Sequence, residues 1–287
     1  LKLSPNNPQL LFNRGNLFNE LGKYFEAIGD LEKSLLISPN NYEANFVLAN
    51  CLASLGRYNE ALSKYKQVIS LTPNPSKVLV NMGVIYLNLK DFLTSIDLLN
   101  RAISIDHNLP SAYICRGSAL HALNRYEEAI QDYDIAIKLN PNNLYEAYNN
   151  KANSLYALKR YEEAIIYFNK ALDINPHYYE GLNNLGNAFL AIKDFNNAFE
   201  IFSNAISFKP NLSQAYNNRG AALHGLGLFQ QELLDYNKAI ELDPENVDAY
   251  NNRGLIFLHF GRYHEAIIEF QHAISQNIEY SEAYANL

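Results

Sequence analysis

Apolar and polar positions alternate along this chain with two superposed periods. Within short stretches the apolar residues fall at i, i+3 or i+4, and i+7, the spacing of one helix face. Over longer distances the pattern recurs every 34 residues, marked by Pro5, Pro39, Pro73, Pro141, Pro176, Pro210 and Pro244. One interval is 68, with His107 where the missing proline would stand, and one is 35, which makes Leu144 a single-residue insertion. A period of roughly 20–50 residues predicts stacked units, not the two or so globular domains that length alone suggests.

With the proline as position 32, full repeats run over 8–41, 42–75, 76–109, 110–143, 145–178, 179–212, 213–246 and 247–280. Residues 1–7 and 281–287 read as parts of flanking repeats, so 1–287 is expected to be a single array cut from a longer protein. Each repeat predicts a helix pair; in the fifth, the pattern gives helices over 146–158 and 161–174 with a break at Lys159-Arg160. Gly22, Gly56, Gly227 and Gly261 at position 15 read as stop signals after the first helix. The proline closes the second helix. Small residues at position 8 (Gly15, Ala49, Ala152, Gly220 among them) and alanines at positions 20 and 27 allow close backbone approach. One such hairpin cannot bury its own apolar face, so neighbours must stack.

In the fifth repeat Tyr148, Ala152, Leu155, Tyr161, Ala164, Phe168, Ala171 and Pro176 hold the marked positions. This pattern closely resembles the tetratricopeptide repeat family, over essentially the whole chain. The resemblance implies an all-α, right-handed superhelical solenoid of antiparallel helix pairs, with first helices lining a concave groove. It also implies a protein–protein interaction scaffold that binds an extended peptide segment there.

At 100° per residue, positions 2, 5, 6, 9, 12 and 13 of the first helix share a face opposite the packing positions. Asn occupies position 6 as Asn13, Asn81, Asn150, Asn184, Asn218 and Asn252. Position 5 adds Asn149, Asn183, Asn217 and Asn251, and position 9 adds Asn16, Asn50, Asn153 and Asn187. Asn is a mediocre helix former, and its carboxamide can bond the backbone of an extended ligand. The arrangement is similar to the asparagine ladder of O-linked N-acetylglucosamine transferases, which offers an alternative: the substrate-recruiting arm of a larger enzyme. Against ligand contact stands a plainer reading, that Asn is simply tolerated here in an Asn-rich chain.

In repeats 1–4 position 5 is instead Phe12, Phe46, Val80 and Ile114. Two readings stand for these: a subsite for apolar ligand side chains, or packing between neighbouring first helices. Position 2 is acidic at Glu43, Glu146, Glu180, Asp248 and Glu282, against one Lys77, so a neutral or basic partner fits better than an acidic one. Members of the family that clamp acidic chaperone C-termini need basic residues at positions 5, 2 and 6; Lys77 is followed by Asn81, which argues against that role.

Position 7 is usually apolar, yet it is Arg14, Arg116, Arg219 and Arg253 in four repeats. Position 23 is acidic in the same four and no others: Asp30, Asp132, Asp235 and Glu269. Covariation between copies predicts structural salt bridges from first to second helix. Glu232, at position 20 where alanine is expected, must either snorkel outward or splay its repeat, with Gly220 opposite giving room.

Composition changes little in this picture. A net charge of −7 disfavours nucleic acid and acidic membrane surfaces, and no apolar run is long enough to span a bilayer. Cys51 and Cys115 form no metal or disulfide framework, which suits a cytoplasmic location. His264-Glu265 is followed by Ile268 where HExxH needs its second histidine, and Gly225-Leu226-Gly227 lacks a third glycine at Gln230. No catalytic constellation, metal site or cofactor is expected, so the chain is not read as an enzyme. Self-association through open repeat ends is a further expected mode.

Overall fold

A computed structural model describes residues 7–140 and 144–287. Pro5 and Pro141 lie outside the described residues. By contacts the chain divides into two compact units, residues 1–141 and 142–287. The boundary falls beside the Leu144 insertion, and each unit is described separately.

The first unit pairs α1 (Pro8–Glu20) with α2 (Tyr24–Ile37), α3 (Tyr42–Ser54) with α4 (Tyr58–Leu71), α5 (Ser76–Asn88) with α6 (Phe92–Ile105), and α7 (Pro110–Ala122) with α8 (Tyr126–Leu139). The second pairs α9 (Tyr145–Ala157) with α10 (Tyr161–Ile174), α11 (Tyr179–Ala191) with α12 (Phe195–Phe208), α13 (Ser213–Gly225) with α14 (Phe229–Leu242), and α15 (Val247–His259) with α16 (Tyr263–Gln276). The short α17 (Ser281–Asn286) follows. Among the described residues there is no strand, and the fold is an all-α helical repeat.

The helices begin and end for local reasons. Asn7, Asn41 and Asn246 cap first helices by accepting backbone N–H bonds, and Asp91 and Asp194 do the same for second helices. After each first helix the chain turns through a left-handed residue. Gly22, Gly56, Gly227 and Gly261 have φ of 71–73°, but Lys90, Asn124, Lys159 and Lys193 adopt φ 60° at the same position. The turn therefore fixes the backbone whatever the residue. The following N–H reaches back to a carbonyl five residues earlier, as from Lys23 to Phe18 and from Arg160 to Leu155, closing the helix end.

Within each repeat the two helices meet across small residues. Alanines at position 20, including Ala27, Ala61, Ala129, Ala164 and Ala198, are fully buried. The ring or Leu at position 24 fills the space opposite position 8. A Cβ on Gly220 would sit 2.4 Å from the Tyr236 ring. Tyr65, Tyr133, Phe168, Phe202, Tyr236 and Phe270 at this position form the centre of six pairs, and Leu31 and Leu99 that of the other two. A buried tyrosine hydroxyl needs a partner, and each one has it. Tyr65 donates to Asn50 Oδ1 at 2.6 Å, Tyr133 lies 3.4 Å from the Ser118 hydroxyl, and Tyr236 bonds Glu232.

Candidate functional site: the first-helix face

Neighbouring first helices touch directly in both units: α1 with α3, α3 with α5, and α5 with α7, then α9 with α11, α11 with α13, α13 with α15, and α15 with α17. In the second unit position 5 lies in that seam. This differs from the single-helix reading, which put position 5 on the open face with positions 6 and 9. A helical wheel gives angles about one axis and omits the next helix. Asn149, Asn217 and Asn251 are 1–5% exposed, so these side chains are not free to line a groove. Asn183 is half-buried.

In the second unit the carboxamides bond one another across successive repeats. Nδ2 of Asn184 donates to Asn149 Oδ1 at 3.3 Å, Asn218 to Asn183 at 2.8 Å, Asn252 to Asn217 at 3.0 Å, and Asn286 to Asn251 at 2.9 Å. Asn217 Nδ2 also donates to Asn218 Oδ1 at 3.3 Å, which joins consecutive rungs into a chain. Asn218 is the most heavily engaged: its Nδ2 also reaches Asn187 Oδ1, and its Oδ1 accepts from Gln214. Position 6 thus reaches back to position 5 of the preceding repeat.

The rest of the carboxamide row is half-exposed. Asn150, Asn184, Asn252, Asn153 and Asn187 keep open surface in the second unit, and Asn81 does in the first. Asn13 is exposed and accepts from Gln9. Phe12 is half-buried; Phe46 is too, with its ring 6.0 Å from that of Tyr65. The acids at position 2 are exposed in the first turn of their helices. The helix dipole favours negative charge there, which gives these acids a reason independent of any ligand.

The arginines face the second helices. Arg116 Nε and Nη2 donate to both oxygens of Asp132 at 2.8 and 2.6 Å, and Arg219 to those of Asp235 at 2.7 Å each. Arg253 grips Glu269 at 2.8–3.1 Å, and Arg14 bonds both oxygens of Asp30. These bonds push the Arg116 and Arg219 guanidinium pKa values above their ordinary range. Three of the arginines use a further N–H on the preceding repeat: Arg116 on Asn100, Arg219 on Ser203, and Arg253 on Asn237. Covariation within one repeat carries no sign of this second link. Repeat 5 has another solution: buried Lys151 lies 3.9 Å from the Tyr167 ring centroid, at the same two positions.

Glu232 neither snorkels nor splays its repeat. It is 1% exposed, and the space beside Gly220 belongs to the Tyr236 ring. His224 Nδ1 covers the carboxylate at 3.1 and 3.3 Å, and Tyr236 donates to it. Burial pushes the Glu232 carboxyl pKa up, against the opposing effect of His224 and the two hydrogen bonds. Cys51 is buried, and burial raises its thiol pKa to about 11, which leaves it inert rather than nucleophilic. Among the described residues no group of His, Cys, Asp and Glu could hold a metal ion, and no helix is long and apolar enough to cross a membrane.

Tetratricopeptide repeat profiles match residues 18–63, 76–108, 110–143, 145–178, 179–212, 213–246 and 235–268. A 63-residue segment, 22% of this chain, is 36% identical to human RNA polymerase II-associated protein 3 and spans 10% of that protein. Solved structures share the fold. The anaphase-promoting-complex heterotetramer Cut9–Hcn1 is 17% identical with a TM-score of 0.68, covering 92% of this chain and 52% of that one. YrrB, a TPR protein with an unusual peptide-binding site, is 23% identical with a TM-score of 0.52, covering 65% and 96%. MamA from Desulfovibrio magneticus RS-1 is 20% identical with a TM-score of 0.54, covering 60% and 96%. The chain belongs to the tetratricopeptide repeat family of generally non-catalytic protein-interaction scaffolds.

Proposed function

We propose that this tetratricopeptide repeat scaffold binds an extended, neutral or basic segment of a partner protein along its first-helix faces. The observation that carries the reading is the half-exposed carboxamide row of the second unit, Asn150, Asn153, Asn184, Asn187 and Asn252. Each carboxamide has two donors and an acceptor oxygen, and the ladder bonds of Asn184 and Asn252 use one donor each. What remains matches the alternating N–H and C=O groups of an extended backbone. The ladder also holds Asn150, Asn184, Asn187 and Asn252 in place beforehand, which lowers the ordering cost of binding. The peptide-binding site described for YrrB is a precedent on the same fold.

The test is selection of 12-residue peptides from a random displayed library against the full chain. Asn153→Ala with Asn184→Ala should then weaken a selected peptide about 10-fold, the worth of one or two hydrogen bonds, without loss of helicity. Failure to select any peptide, or equal affinity for the double variant, would refute the reading.

A further inference from the structure

The first unit holds a cavity on its first-helix face that no carboxamide ladder fills. It lies between α3, α4 and α5, is open to solvent, and offers about 350 Å³. The geometry points to a side-chain subsite: we propose that it takes one uncharged apolar side chain from an extended partner segment.

Three features carry this. The walls are preformed, because Asn50 Oδ1 accepts both the Tyr65 hydroxyl at 2.6 Å and Asn81 Nδ2 at 2.9 Å. That clasp fixes both carboxamides at the cavity wall and spends only the oxygen of Asn50, so its Nδ2 stays available for a ligand backbone carbonyl. The apolar surface comes from Ala53, Val84 and the Tyr58 ring, backed by the buried Ile85 and Tyr65, and Val84 is exposed, an apolar side chain presented to solvent at the site. None of the described residues lining the cavity carries a charge. A Lys, Arg, Asp or Glu side chain would give up part of its hydration there and find no ion partner, whereas an apolar one gains by leaving water. Pocket sites of this size characteristically combine apolar walls with a few fixed polar groups.

The proposal rests on the peptide-binding reading but sits in the other unit, so the two can fail separately. The probes are N-acetyl-leucine methylamide and N-acetyl-lysine methylamide, titrated into the full chain and followed by backbone and methyl NMR. The leucine probe should give saturable shifts centred on Val84 and Ile85, with the lysine probe at least ~10-fold weaker. Val84→Glu, at an exposed position, and Ala53→Leu, which fills the cavity, should each abolish the leucine response while second-unit resonances stay unchanged. Non-saturable shifts, equal response to both probes, or an unaltered response in both variants would overturn the subsite. A library-selected peptide that shifts the Val84 resonance yet binds the Val84→Glu chain with undiminished affinity would overturn it too, while leaving the carboxamide reading intact.

Discussion

Position 5 of the first helices carries different chemistry in the two units, and in the second it lies in the seam between neighbouring first helices. The first unit uses Phe12, Phe46, Val80 and Ile114; the second uses Asn149, Asn183, Asn217 and Asn251. An apolar side chain taken fully out of water contributes about 1.5–3 kcal/mol and tolerates small shifts of its neighbour. A carboxamide pair contributes about 1 kcal/mol net but demands one register, because its bonds are directional. The polar seam is also the more brittle. Removing a position-6 carboxamide strands the oxygen of a buried position-5 partner, whereas trimming an apolar residue leaves a cavity that its surroundings can partly close.

The largest effect should come from cutting the ladder in its middle. Asn217→Ala removes the acceptor of Asn252 and a donor to Asn218. It should cost about 2 kcal/mol, seen as faster amide exchange in α13 and α15 with the first unit unchanged. Asn217→Leu, which imports the first unit's chemistry, should not recover the loss while Asn252 stays unpartnered. A cost below about 0.5 kcal/mol for Asn217→Ala would mean that the ladder contributes nothing and that the two seams do not differ in kind.

A smaller effect separates the units at position 20, where the first has Ala27, Ala61, Ser95 and Ala129 and the second includes Glu232. The folded-state pKa of Glu232 lies above its ordinary value of 4.5, so the folded chain holds this proton more tightly than the unfolded one. Stability is therefore lost as pH rises from that value through the raised one, and the penalty is complete above it. The groups that bear on this carboxylate are His224 and Tyr236. Glu232→Gln keeps the shape and removes the charge. It should add roughly 1 kcal/mol at neutral pH, with the gain vanishing toward pH 4 in urea denaturation followed across pH. A gain independent of pH would show that packing, not charge, is responsible.

The smallest effect tests what the units share. Each has two glycines and two other residues at the left-handed turn. Lys159→Gly should stabilise by about 0.5–1 kcal/mol and Gly56→Ala should destabilise by a similar amount, both read from thermal midpoints. A neutral Lys159→Gly would mean that the entropy of the unfolded chain offsets the relief of strain.

Helix pairs, repeat edges and turns were legible along the chain because each depends on residues within one or two helical turns. The proline spacing and the position-15 glycines show where helices end. The Arg–acid covariation placed Arg116 beside Asp132, since a fixed offset of 16 residues joins two helices of one hairpin. The second grip of Arg116 on Asn100 was not legible, because it crosses to another repeat and nothing in a single copy of the pattern marks it.

The carboxamides mark the same limit. Sequence alone established that asparagines stand in register at positions 5, 6 and 9, and that this needs an explanation in a helix. Only the tertiary structure decided that Asn149, Asn217 and Asn251 are buried in a seam and that position 6 turns its nitrogen back toward it. It also settled that Glu232 stays inside under His224, and that a cavity remains where Asn50 is drawn onto Tyr65. Helical periodicity describes one helix about its own axis. Burial and hydrogen bonding depend on the neighbour one repeat away, whose distance and tilt come from packing the whole stack.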